Sequence, residues 1–208
     1  MLQLRSQRGF TLVELMVGVS ILSALMFLGV PAMTQWMVTN KARLTSEFYA
    51  DGLSTARRQA VVHNARTRFT VSNNATNGQM DWQIDICFPT ATTPCNSNSG
   101  VWSTTAAVAP GDPLGAAGFK SVFRSADRLV QTNIMAPSVQ PSGATAVYFT
   151  EVGWVDTNSN PRLTRLQFDP AAKYKGEVPA VALVITLAGL ASKCDPTKNG
   201  TDSRACPP

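Results

Sequence analysis

From Phe10 to Met33 the chain is apolar at almost every position, and Glu14 is the one charge inside that run. As a helix at 1.5 Å per residue the run would extend roughly 36 Å, enough to cross a bilayer core of about 30 Å. Beyond Met33 the pattern turns amphipathic. Phe48, Gly52, Ala56 and Ala60 recur at four-residue spacing with Tyr49 and Leu53 beside them, while Glu47, Asp51, Ser54 and Arg58 fall on other faces. That periodicity predicts a helix laid along a core, with small residues at 52, 56 and 60 letting a sheet approach closely. One long helix is therefore expected from Phe10 to about Asn64, with Asn64 as a left-handed cap. Gly18 and Gly29 weaken it, and Pro31, which lacks a backbone donor, is expected to kink it.

After Asn64 the period changes to two. Thr67, Phe69 and Val71 alternate with Arg66, Arg68, Thr70 and Ser72; Trp82, Ile84, Ile86 and Phe88 alternate with Gln83, Asp85 and Cys87. These predict an antiparallel hairpin closed by the turn-rich stretch 73–81. Residues 89–118 read as loop, with a short strand at Val101–Trp102. Weaker strand signals occur at 119–123 and 129–133, and 137–143 reads as punctuation. Residues 146–154 and 163–168 are expected to form a second hairpin with its turn at 156–161. The β-branched run 180–187 reads as a strand buried on both faces, ended by Gly189. The fold class expected is α+β: a long N-terminal helix packed on a C-terminal antiparallel β-sheet domain.

Charged residues make up only 15% of the 208, and Gly, Pro, Ser, Thr and Asn fill the difference, which suits an exported β-rich domain with long loops. The formal net charge of +5, two of it from Arg5 and Arg8 near the N-terminus, is too mild to argue for nucleic acid by itself. The four cysteines, Cys87, Cys95, Cys194 and Cys206, form no Cys-x-x-Cys pair and have one histidine for company, which speaks against zinc. Three connectivities are open to them. Sequence-local pairing, Cys87 with Cys95 and Cys194 with Cys206, is expected, each bridge stabilising by about 2–4 kcal/mol.

Three readings compete for the apolar run. A secretory signal would be shorter and carry no acid. A plain anchor explains the length but leaves Glu14 unpaired near lipid, at a cost of a few kcal/mol. In a class III leader the cut precedes the apolar core, which is kept. The stretch Gly9-Phe10-Thr11-Leu12-Val13-Glu14 closely resembles the prepilin processing motif of type IV pilins and type II secretion pseudopilins. The resemblance implies cleavage by prepilin peptidase between Gly9 and Phe10, N-methylation of Phe10, and an assembly role for Glu14. Pro31 stands where many pilins carry a helix-kinking proline. Physics agrees on Glu14: a carboxylate buried among bundled apolar helices needs a positive partner, and the free amino group of Phe10 on a neighbouring subunit would set register. The domains expected are a leader (1–9), a transmembrane and assembly helix (10–33), an amphipathic helical half (34–64) and a β-rich globular domain with a bridged tail (65–208).

The stretch Gly52-Leu53-Ser54-Thr55-Ala56-Arg57-Arg58-Gln59-Ala60-Val61, with His63-Asn64, the segment around Gly153 and the final strand into Gly189, further resembles the FimT/GspH-like branch of that family. The resemblance implies a minor pilin of a type IV pilus, at its tip or in its initiation complex. A GspH-type minor pseudopilin and a FimT-like DNA-uptake pilin are the alternatives. The partners implied are other pilins, prepilin peptidase and, before assembly, the bacterial inner membrane, with the C-terminal domain periplasmic. DNA-binding members share an arginine-bearing stretch after the last strand's glycine; here Lys193 is the basic residue of Gly189–Cys194, with Lys198 and Arg204 following as possible DNA contacts. Arg57, Arg58, Arg66 and Arg68 form a denser cluster. No nucleophile motif, phosphate loop or ligand cluster accompanies His63, so no catalysis, cofactor or metal is expected.

Overall fold

The computed structural model describes residues 11–207, without the side chains of residues 28, 29, 31, 32 and 34. The expectations for Gly9 and Phe10 fall outside the described residues, and the side chain of Pro31, where a kink is expected, is outside the description as well. The chain divides into two compact units, Met1–Thr39 and Asn40–Pro208. Helix α1, Leu12–His63, supplies residues to both.

In the first unit, Thr11 caps the helix: its hydroxyl accepts the Glu14 N–H at 3.2 Å. The large apolar side chains from Leu12 to Phe27 are exposed, Phe27 by 82%. Ser20 and Ser23 bond back to the carbonyls of Met16 and Val19, both at 2.8 Å, so neither hydroxyl needs water. Among the described residues no helix is long and apolar enough to cross a membrane. The side chains of 28, 29, 31 and 32, which lie within the apolar run of the sequence, are outside that description.

In the second unit the rest of α1 lies on two four-stranded antiparallel sheets. The first has strand order β3-β2-β1-β5 and the second β4-β6-β7-β8. Strands β1 (Arg66–Asn73), β2 (Met80–Cys87) and β3 (Val122–Arg124) come first, then β4 (Met135–Gln140) and β5 (Ala146–Phe149). Strands β6 (Arg165–Pro170), β7 (Val181–Ile185) and β8 (Ala191–Cys194) complete the set.

The helix touches both sheets because its stripe is small and aromatic. A Cβ on Gly52 would stand 2.7 Å from Phe69 and 2.9 Å from Trp82, so only glycine admits these rings. Tyr49 stacks on Phe168 of β6 with centroids 5.0 Å apart. Its hydroxyl donates to the Met80 carbonyl at 2.7 Å and accepts the Met80 N–H at 3.0 Å. The Trp82 indole donates to the Phe48 carbonyl, and the Thr67 hydroxyl to that of Ala56. Tyr49, Leu53, Ala56, Ala60, Phe69, Ile84 and Phe168 are all fully buried. The helix ends in a Schellman motif: Asn64 has φ 44°, its N–H bonds Val61, and the Ala65 N–H reaches Ala60.

Several strand expectations need correction. Val101–Trp102 and 129–133 are not strands. The stretch read as punctuation is largely β4, where Pro137 is tolerated because β4 is an edge pairing only with β6. β5 and β6 are not a hairpin. The chain reverses early, at Gly153, and residues 155–156 return along β5, with Asp156 N bonding Tyr148 O at 2.8 Å. That covers the β5 edge and leaves β6 to the second sheet. The sheets are stitched where Leu163 N bonds Ala146 O and Thr164 N bonds Gln140 O. The run ending at Gly189 turns back as β8, unforeseen in the sequence, in register with β7 from Ala182↔Cys194 to Ile185↔Ala191.

Candidate functional site: the N-terminal motif and the charged surface

Glu14 occupies the third position of α1 after the Thr11 cap, the acidic residue of the first turn. An acid there is favoured by the unsatisfied N–H groups and the positive end of the helix dipole. The side chain thus has a local reason to be tolerated in addition to any partner in an assembly.

The bridges are Cys87–Cys95 and Cys194–Cys206. The first holds the start of loop 88–121 against the end of β2. Further along, the loop is fastened to the edge of β2 beyond β3: Ser103 exchanges bonds with Ile86, its N–H donating to Ile86 O and its hydroxyl accepting Ile86 N–H. Trp102 then lies over Arg68, 4.7 Å from guanidinium carbon to ring centroid.

Three of the four clustered arginines, Arg57, Arg66 and Arg68, are engaged by structure, while Arg58 is exposed and reaches the Thr55 hydroxyl at 3.4 Å. Arg68 faces Asp85 across the β1–β2 ladder and bonds it at 2.6 Å, with the Asp85 side chain only 1% exposed. Gln83 donates to the other Asp85 oxygen. Arg66 bonds Glu151 at 3.1 Å and Asp156 at 2.8 Å, and also the Cys95 carbonyl. Arg57 donates to the Ala188 carbonyl at 3.1 Å. It packs where two left-handed glycines meet: Gly153 and Gly189, at φ 79° and 76°. A Cβ on Gly189 would lie 2.2 Å from the Gly153 carbonyl oxygen and 3.1 Å from Arg57 Cδ.

Two cations of the tail, Lys193 and Arg204, are likewise engaged. Lys193, on β8, is paired with Glu47 of α1. Arg204 pairs with Asp202 at 3.0 Å, and its hydrogen bonds hold that carboxyl down at about 2. Asp195 is lowered by the Thr197 hydroxyl and N–H, with Lys198 and Arg204 contributing by charge. Lys193 and Arg204, with Arg43, line an open cleft between α1 and the tail. Lys198 is exposed. Glu47 lies 146 residues from Lys193, so no linear pattern marks it as that lysine's partner, whereas Asp202 is only 2 residues from Arg204.

His63 packs edge-on against Phe119, ring centroids 5.3 Å apart, at the end of α1. Among the described residues no group of three or more His, Cys, Asp or Glu could hold a metal ion.

Residues 4–30 match the family model described as the prokaryotic N-terminal methylation motif. That match covers the N-terminal segment, where the sequence resembles the type IV pilins, and leaves the β-rich part of the chain outside it. No curated protein matches the chain. Among solved structures, it is similar to the type IV minor pilin FimU of Pseudomonas aeruginosa (strain PAO1), at 15% identity and a TM-score of 0.42, over 76% of this chain and 92% of that one. A likeness at that level decides neither role nor partner.

Proposed function

We propose that the chain is a minor pilin, a structural subunit of a type IV pilus that prepilin peptidase cuts after Gly9 and methylates on Phe10. The observation that carries this reading is the methylation motif at residues 4–30 running into a helix whose large apolar side chains from Leu12 to Phe27 are exposed among the described residues. Such a surface needs lipid before assembly and like helices after it. In the assembled filament, the Glu14 carboxylate would pair with the amino terminus of a neighbour and fix register, and Pro31 would let the helix bend. The inner membrane, prepilin peptidase and other pilins are the partners of this reading, and tip or initiation-complex membership is its finer form.

Incubation of the full chain with a prepilin peptidase in detergent tests it. Mass spectrometry should find N-methyl-Phe10 at the mature terminus; an uncut chain, or a different terminus, would sink the reading. Deletion that abolishes exoprotein secretion while pili persist would favour the pseudopilin alternative. DNA uptake through the tail is weakly supported, because Lys193 and Arg204 already hold Glu47 and Asp202.

A further inference from the structure

The chain contains two Asn-Gly dipeptides, Asn77-Gly78 and Asn199-Gly200. This sequence is chemically labile wherever the asparagine amide can be reached by the next backbone nitrogen, since glycine puts no side chain in the way. The two sites have opposite surroundings.

Asn77 is locked. It is 8% exposed. Its amide nitrogen donates to Ala126 O at 2.6 Å and its amide oxygen accepts Gln79 N–H at 2.9 Å. The Gly78 N–H, which would have to become the nucleophile, donates to Asn74 O at 2.9 Å. Every atom the reaction needs is held elsewhere.

Asn199 is open. Asn199 and Gly200 are both exposed, at the far side of the loop closed by Cys194–Cys206. Among the described residues neither the Asn199 side chain nor the Gly200 N–H has a hydrogen-bond partner, and a Cβ on Gly200 would meet nothing within 4 Å. The one bond at this point is from Asp202 N–H to the Asn199 carbonyl, 2.9 Å, which leaves the reacting atoms free.

We infer that Asn199-Gly200 is a site of spontaneous deamidation in the folded protein, and that Asn77-Gly78 is protected from the same reaction by its hydrogen bonds. The Gly200 nitrogen, losing its proton to hydroxide, attacks Asn199 Cγ. The Cγ–Nδ2 bond breaks and ammonia leaves, giving a five-membered succinimide. Water then opens the ring at either carbonyl, yielding aspartate or isoaspartate at position 199. No electron is gained or lost, and the co-reactants are hydroxide and water. The product places a carboxylate beside Lys198 and within the Asp195–Asp202–Arg204 group, so the tail loses net positive charge with age.

The test is to hold the purified full chain at mildly alkaline pH and follow both peptides by mass spectrometry, with isoaspartate counted separately. Asn199 should convert with a rate that rises with pH, about tenfold or more faster than Asn77, which must wait for local opening. Gly200→Ala should slow position 199 alone. In denaturant the two sites should react at similar rates. Equal rates in the folded protein would overturn the inference, as would an inert Asn199 under conditions where the denatured chain reacts. A glycan on Asn199 in protein from its natural source would also overturn it, since a glycosylated amide cannot leave as ammonia.

Discussion

Gly52 of α1 and Phe69 of β1 approach so closely that a single methyl group on the glycine would stand 2.7 Å from the ring edge. The helix carbon cannot retreat, because Tyr49 and Trp82 tie both neighbours of this contact to the opposite backbone. Gly52→Ala should therefore destabilise the second unit by about 1–3 kcal/mol through overpacking, despite alanine's better helix propensity. A denaturant midpoint unchanged or raised in the variant would show that the ring can move aside.

Tyr49 is buried with its hydroxyl bonded to Met80, and burial pushes its phenol well above the ordinary range. A folded value raised above the unfolded one means the stability is whole below the unfolded value and is lost as pH rises past it, at about 10. Stability should fall above that pH, and Tyr49→Phe should remove part of this dependence while costing about 1–3 kcal/mol at neutral pH from the unpaired Met80 groups. Denaturant titrations from neutral to strongly alkaline pH read both effects; parallel curves for the two proteins would refute the assignment.

Arg68 and Asp85 form an unequal pair. Arg68 is 29% exposed and can recover water when its partner goes, whereas Asp85 at 1% cannot. Arg68→Ala should thus cost more than Asp85→Ala, by about 3 kcal/mol or more in total for the former. Thermal unfolding of both variants and the double variant separates the coupling from the single losses; a costlier Asp85→Ala would contradict the argument.

Glu14 has a local role at the helix start and a proposed one in assembly, and the two separate experimentally. Glu14→Gln keeps a hydrogen-bonding side chain at the third helical position but removes the charge. It should be cleaved and methylated normally and enter filaments poorly, as judged by the variant's share in sheared pili. Normal incorporation would leave only the local role.

Much of the helix was legible because periodicity is a local signal. The stripe at 48, 49, 52, 53, 56 and 60 and the αL residue at Asn64 both follow from residues within a turn or two of one another, and the first hairpin from its strict alternation. The β5–β6 relationship was not legible. The turn residues at 156–161 are rich in Asn, Ser and Pro, yet the chain reverses at Gly153, because a free β5 edge beside a left-handed glycine captures residues 155–156 first. The partners of the arginine cluster were not legible for the same reason: Arg66 and Arg68 look like ordinary strand-face charge until Glu151, Asp156 and Asp85 arrive from elsewhere in the fold.

Sequence alone determined the N-terminal methylation motif, the apolar run within and after it, and the seat of α1 in the core, since each is written in contiguous residues whose chemistry does not depend on what lies across the fold. Only the tertiary structure decided which cations remain available, which Asn-Gly is exposed, and how eight strands divide between two sheets. Those depend on partners brought from tens of residues away, where burial and hydrogen bonding, not composition, set a side chain's state.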